Sequence, residues 1–199
     1  MDGVAGNDII VNNRMESGMS QLAERLNPIP QSFPADRGWP AAVLVGLQKQ
    51  QADWHVVMTR RASHLAHHAG QISFPGGKVD PNDANLTATA LREAEEEIAL
   101  PPASVSIIGA LDMVTSPVGF SVQPVVGIVA PETSFVASPG EVDEVLVLPL
   151  EEVLDSARHR RETYLREGIR REVWVIEHTV HSLWGLSASI LVDLASRLR

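Results

Sequence analysis

The sequence contains no cysteine. Disulfide staples, cysteine-ligated zinc and thiol nucleophiles are thereby excluded. Positive charge is scarce: 16 Lys and Arg stand against 25 Asp and Glu, for a net charge of -9. Such a chain offers no broad phosphate-gripping surface for long nucleic acids. A small phosphorylated ligand stays open, because a local cation cluster or a bound metal reverses the field. Aromatic residues make up only 5%, too few to suggest a base-stacking platform for RNA. Long apolar runs are missing too, and no basic-headed leader precedes a hydrophobic stretch. The expectation is a soluble, cytoplasmic protein with no membrane partner. What is present is 199 residues, 44% of them hydrophobic, enough for one substantial core.

Residues 1–20 mix glycines with Asn12 and Asn13 and read as a loose leader. SQLAERLNPI (20–29) has a capping Ser20 and apolar residues at helical spacing, so it predicts a short helix. Four prolines between Pro28 and Pro40 then keep the chain irregular. Strands are predicted at 41–48, 54–61, 71–77, 105–114, 122–130, 144–150 and 171–178. Helices are predicted at about 87–98, at 150–159 and at 187–199. Strands interleaved with helices indicate one α/β or α+β domain.

The densest feature is REAEEEIAL (92–100). On a helix, Glu93, Glu96 and Glu97 share one region, while Glu95 projects elsewhere. Ala90, Leu91, Ala94 and Ile98 are left to face the core. Three carboxylates so placed repel one another and oppose the helix dipole near its C-terminus. A divalent Mg²⁺ or Mn²⁺ offsets both penalties, since such ions favour hard oxygen ligands and share them with phosphate. A solvated charged face, with Arg92 neutralising part of it, is the plain alternative. The FPGG turn (74–77) just upstream weighs toward the metal.

Read with its upstream loop, GGKVDPNDANLTATALREAEEEIAL (76–100) resembles the Nudix box, G-x5-E-x7-R-E-U-x-E-E-x-G-U with U aliphatic. Arg92, Glu93, Ala94, Glu96, Glu97 and Leu100 match its second half. The segment MTRRASHLAHHAGQISFPGGKVD (58–80) is similar to the coenzyme A pyrophosphatase branch of that superfamily, through His68, Gly70, Gln71, Phe74, Pro75, Gly76, Gly77 and Asp80. SPVGFSVQPVVG and LWGLSASIL extend the likeness to roughly residues 40–195. Two departures stand out. The interval from Gly77 to Arg92 is one residue longer than the plain box, as that branch commonly has, and Asp83 occupies the place of its first glutamate. Ala99 replaces the late glycine, which costs energy if that position needs positive φ.

The resemblance implies an α/β fold, a Nudix-type α/β/α sandwich with a mixed β-sheet and a loop–helix–loop catalytic box. Residues 1–35 would be an N-terminal leader, partly flexible with a short helix, and residues 36–199 a single Nudix hydrolase domain. It implies Glu93, Glu96, Glu97 and the Gly77 carbonyl as ligands of Mg²⁺ or Mn²⁺. Glu93 alternatively orients its partners through Arg92. Glu141 or Glu144 would supply a further catalytic carboxylate, with Glu141 ranked first. The substrate would be coenzyme A or a thioester, cleaved to 3′,5′-adenosine bisphosphate and 4′-phosphopantetheine. Arg60, Arg61 and His64 are then phosphate-binding candidates, with Gly76 and Gly77 in the substrate loop. His68, rather than His67, orders that loop through hydrogen bonds to backbone. Other diphosphates, ADP-ribose or NADH, remain an alternative, as does a noncatalytic nucleotide-binding module. Trp174 and Trp184 are expected in the core before an adenine pocket, and Phe74 in the core. The stripe Leu191, Leu194 and Leu198 packs internally or builds a homodimer.

Overall fold

The structure, a computed structural model, describes residues 4–30, 32, 38–65, 68–166, 169–178 and 181–199, with backbone alone at 4–14, 166 and 169. Its centre is strand β1 (Trp39–Gln50), followed by β2 (Asp53–Arg61). Short strands β3 (Ile72–Ser73) and β4 (Gly76–Lys78) flank the FPGG turn. After helix α2 (Leu86–Ile98) come β5 (Val105–Ala110), β6 (Val114–Thr115), β7 (Phe120–Val129) and β8 (Val142–Pro149). These strands form one sheet in the order β3-β2-β1-β7-β5, with β4 beside β1, β6 beside β7 and β8 beside β2. The β1–β7 pair is parallel and the other pairs are antiparallel, so the sheet is mixed.

Burial explains why β1 reads as a continuous apolar run rather than an alternating one. Ala42 and Leu44 face one core with Val57 and Val125, under Ala90, Ala94 and Ile98 of α2. Val45 and Leu47 face a second core with Met58, Val126 and Leu148. That second core is covered by helix α4 (Leu186–Arg197), through Ile190, Leu191 and Leu194, and by Leu22 of helix α1 (Val4–Arg25). The result is the expected α/β/α sandwich.

The long strands and helices α2 and α4 lie where the sequence predicts them. The N-terminal helix does not: it runs from Val4 to Arg25, ending where a short helix at 20–29 was expected to be under way. Met15, Met19 and Leu22 hold it against the second core. The expected helix at 150–159 shrinks to α3 (Leu150–Leu154) and a single 3₁₀ turn, because Asp155 takes an extended conformation. A further three-stranded sheet joins β9 (His159–Arg166), β10 (Ile169–Glu177) and β11 (Ser182–Trp184) in the order β11-β10-β9. Of these only β10 was predicted.

Candidate active site

Helix α2 begins at Asn85, whose side chain accepts the Ala88 N–H at 2.9 Å. It ends at Ala99, which sits in the left-handed region at φ 53°. The Ala99 N–H donates to the Glu95 carbonyl at 3.0 Å and the Leu100 N–H to the Ala94 carbonyl at 3.3 Å. With Ala99 left-handed, the bond to Glu95 is that of an αL-type helix end. Ala99 therefore adopts the positive φ that its motif position asks for, and the helix does not run on.

With Ala90, Ala94 and Ile98 buried, the carboxylates of α2 divide by helical phase. Glu95 and Glu96 are exposed, Glu93 is half-buried, and Glu97 is only 8% exposed. The FPGG turn closes over the buried pair. The Gly76 N–H donates to Glu97 Oε2 at 3.2 Å. A Cβ at Gly77 would lie 2.5 Å from the Glu93 carboxylate, so the loop passes directly against the end of that side chain. At Gly76 a Cβ would stand 2.4 Å from the Ala42 carbonyl oxygen. Close approach to backbone therefore requires glycine at Gly76.

Burial pushes the Glu97 carboxyl up to about 7; the Gly76 N–H opposes this, the charges of Glu93 and Glu141 add to it, and Arg61 opposes it. Glu93 is also raised, first by burial, against the pull of Arg92 and with the charges of Glu96 and Glu141. Arg92 organises the polar side of the helix. Its Nε and Nη2 grip the two oxygens of Asp83, each at 3.0 Å. Its Nη1 donates to Glu93 at 2.9 Å and Glu96 at 3.1 Å, and its Nη2 to the Lys78 carbonyl at 3.1 Å. Asp83 also accepts from the Thr89 hydroxyl and the Asp80 N–H. Arg92 above all holds the Asp83 carboxyl down at about 2. Asp83, at the place of the motif's first glutamate, fixes Arg92 through both of its oxygens, a contact the sequence candidates omitted.

The remaining predicted residues separate into two groups. Glu141 is exposed, yet its charge acts on Glu93 and Glu97. Arg61 acts on Glu97. Glu144 instead pairs with Arg60 at 3.1 Å, and Arg60 also meets His181 at 3.3 Å. His64 is exposed on the loop after β2. His68 does order its loop, at φ 60°, but its Nδ1 meets the Gln71 side chain at 2.7 Å rather than backbone. His67 lies outside the described residues. Phe74 is in the core as expected. Trp184 is 45% exposed, contrary to the core expectation, because β11 is an edge strand of the small sheet. Trp174 is half-buried against the second core. Leu191 and Leu194 are fully buried and Leu198 packs beside them, so the tail stripe is internal and offers no dimer surface.

Among the described residues, no three carboxylates or histidines are already gathered closely enough to hold an ion. The chemistry of the donors nevertheless fits a hard divalent cation. All are oxygens, two are raised by burial and by the charge of neighbouring carboxylates, and Arg92 engages Glu93 and Glu96.

Comparison with known proteins follows this geometry. The family model described as NUDIX domain matches residues 38–174. A protein of Enterobacter sp. (strain 638), named uncharacterized Nudix hydrolase NudL, is 44% identical over 158 residues, 79% of this chain and 82% of its own length. A protein of the same name from Salmonella paratyphi B is 43% identical over the same shares. Among solved structures, a MutT/nudix family protein from Enterococcus faecalis superposes with a TM-score of 0.51 at 17% identity, covering 100% of this chain and 75% of that one. The M. smegmatis Nudix hydrolase RenU gives 0.50 at 21% identity, covering 59% and 76%. These two structures support the fold.

Proposed function

The chain belongs to the Nudix hydrolase family, and from that premise we propose that it cleaves the diphosphate of coenzyme A or its thioesters. The products would be 3′,5′-adenosine bisphosphate and 4′-phosphopantetheine or its acyl form. The observation that carries this reading is the packing of the FPGG turn on Glu93 and Glu97. The segment that resembles the coenzyme A branch and the carboxylates of the box thus form one unit.

Glu93, Glu96, Glu97 and the Gly77 carbonyl are the donors for Mg²⁺ or Mn²⁺, and a bound divalent ion neutralises phosphate oxygens and acidifies water. Arg92 positions Glu93 and Glu96 for that task. Water adds across the P–O–P bridge: its oxygen bonds to one phosphorus, the bridging oxygen leaves with the other, and a carboxylate takes the proton. Glu141 is the proposed acceptor, since it acts on Glu93 and Glu97 while Glu144 is engaged with Arg60. Gly76 and Gly77 line the loop that receives the diphosphate. Arg61, facing Glu97, attracts its charge. Arg60, held by Glu144 and His181, and the exposed His64 and His68 are proposed as further substrate contacts. The proposed setting is the cytoplasm, and any homodimer would use a surface other than the leucine stripe.

A second reading keeps the chemistry and changes the substrate to ADP-ribose, NADH or another nucleoside diphosphate derivative. It is favoured by the site itself, whose carboxylates and glycine turn read only diphosphate and metal. Ala99 lends the noncatalytic alternative no support, since it preserves the helix end.

The test is incubation with coenzyme A and Mg²⁺ or Mn²⁺, products identified by mass, beside ADP-ribose and NADH and with EDTA controls. Chelation-sensitive release of 3′,5′-adenosine bisphosphate is the expected result. Cleavage of ADP-ribose with coenzyme A untouched would move the assignment to the second reading. No turnover of any of the three would overturn both.

A further inference from the structure

A cavity of about 580 Å³ opens between the β9–β10 hairpin, the turn after β6 and the start of α4. None of the residues so far assigned to the site lines it. Arg161, Arg171 and Trp174 come from the hairpin, Val114 and Thr115 from β6, and Leu186 from α4.

The hairpin side is cationic and aromatic. Arg161 lies over the Trp174 ring, 4.6 Å from its centroid, and pairs with Glu172 at 3.0 Å. Arg171 is different. Its Nε is buried with no hydrogen-bond partner, and among the described residues it pairs with no carboxylate. A buried guanidinium N–H left without an acceptor is costly. Arg171 also lines the cavity, where an anion would meet its guanidinium, and a phosphate monoester suits that planar fork of donors best. The Trp174 ring also borders the cavity, beneath the Arg161 guanidinium.

The cavity also sits at the right place. Lys78, Ala41, Val122 and Val114 form one row across β4, β1, β7 and β6. Three strand spacings put Val114 about 14 Å from Lys78, the neighbour of Gly77. The Ser187 hydroxyl donates to the Ile72 carbonyl at 3.0 Å, tying the start of α4 to the strand before the FPGG turn. Along the sheet that interval is longer than a bare diphosphate, so only a ligand that extends past the diphosphate could bridge the two.

We infer that this cavity receives the nucleotide end of the substrate and that Arg171 binds a phosphate monoester on it. The inference rests on the diphosphatase reading above. It makes Arg171 a specificity-determining residue: it separates 3′-phosphorylated substrates from those without that group.

The experiment compares coenzyme A with 3′-dephospho-coenzyme A as substrates for wild type and Arg171→Met. Adenosine 3′,5′-bisphosphate and AMP are titrated calorimetrically into both proteins. Wild type should prefer coenzyme A, and the variant should lower that preference in kcat/KM by about tenfold or more, chiefly through KM. The tighter binding of the bisphosphate over AMP should shrink in parallel. An unchanged preference, with both substrates falling together or neither moving, overturns the inference and leaves the diphosphatase reading standing. If wild type spares coenzyme A but binds the bisphosphate through Arg171, the substrate reading falls and the inference stands. Equal binding of the two nucleotides by wild type overturns the inference outright.

Discussion

At the scale of single residues, the four glutamates of α2 differ because the helix turns them to different surroundings. Glu97 is buried and raised, Glu93 is half-buried, Glu96 is exposed but held by Arg92, and Glu95 only meets solvent. Glu96→Gln and Glu97→Gln should each lower kcat by about 10²-fold or more, with circular dichroism unchanged. Glu95→Gln should stay within about twofold, since a surface change away from special contacts has little effect. Near-wild-type turnover in both of the first two variants would sink the metal assignment. Glu141→Gln should cost more turnover than Glu144→Gln, because only the first acts on the buried pair; a reversed order in the same assay would reassign the proton acceptor. Ala99 gives a stability prediction. Alanine at φ 53° carries strain that glycine relieves. Ala99→Gly should therefore stabilise by about 0.5–1 kcal/mol after the entropy lost to a looser unfolded chain. Urea denaturation reads this, and activity should not move.

At the scale of the element, the box is a loop and a helix joined by Arg92. Asp83 gives that joint its pH signature. Its carboxyl is held at about 2, below its ordinary 3.8. A depressed acid stabilises the fold above its unfolded value and ceases to do so as pH falls through the folded one. Asp83→Asn should thus cost about 1–3 kcal/mol at pH 7, with the difference from wild type shrinking between about pH 4 and pH 2. Paired denaturation curves at pH 7 and pH 3 check it, and a pH-independent difference would deny the charge its role. The helix itself was legible: Ala90, Ala94 and Ile98 on one side and carboxylates on the other follow from a 3.6-residue period. The Asp83–Arg92 grip was only half legible. Spacing placed Asp83 at the right point of the motif, but that its short side chain reaches both Nε and Nη2 depends on the turn from Asp80 to Asp83. Strand β9 escaped because HRRETYLR has little apolar alternation; its order comes from pairing with β10.

At the scale of the molecule, the two ends of the chain meet. Arg25 donates to the carbonyls of Arg197 and Arg199, and Arg197 donates back to the Arg25 carbonyl. Gly18 lies so close to Leu198 that a Cβ would stand 2.7 Å from its carbonyl oxygen. Contacts between residues so far apart in sequence leave no local pattern, and the glycines and asparagines of α1 lower its intrinsic helix propensity. That is why the segment reads as a loose leader, although its second half covers the core. Leu22 is the anchor: it is fully buried, packed in the same cluster as Leu191 and Leu194. If α1 is part of the folded unit, Leu22→Ala should destabilise the whole protein by about 2–5 kcal/mol, through lost burial and the cavity left behind. The transition should stay single, since the cluster also holds Val45, Met58 and Val126 of the central sheet. A cost under about 1 kcal/mol, within the range of surface substitutions, would mean that α1 rests on the domain without stabilising it. The carboxylates proposed to hold the metal lie across the sheet on α2, so turnover per folded molecule should survive the substitution while the denaturation midpoint falls.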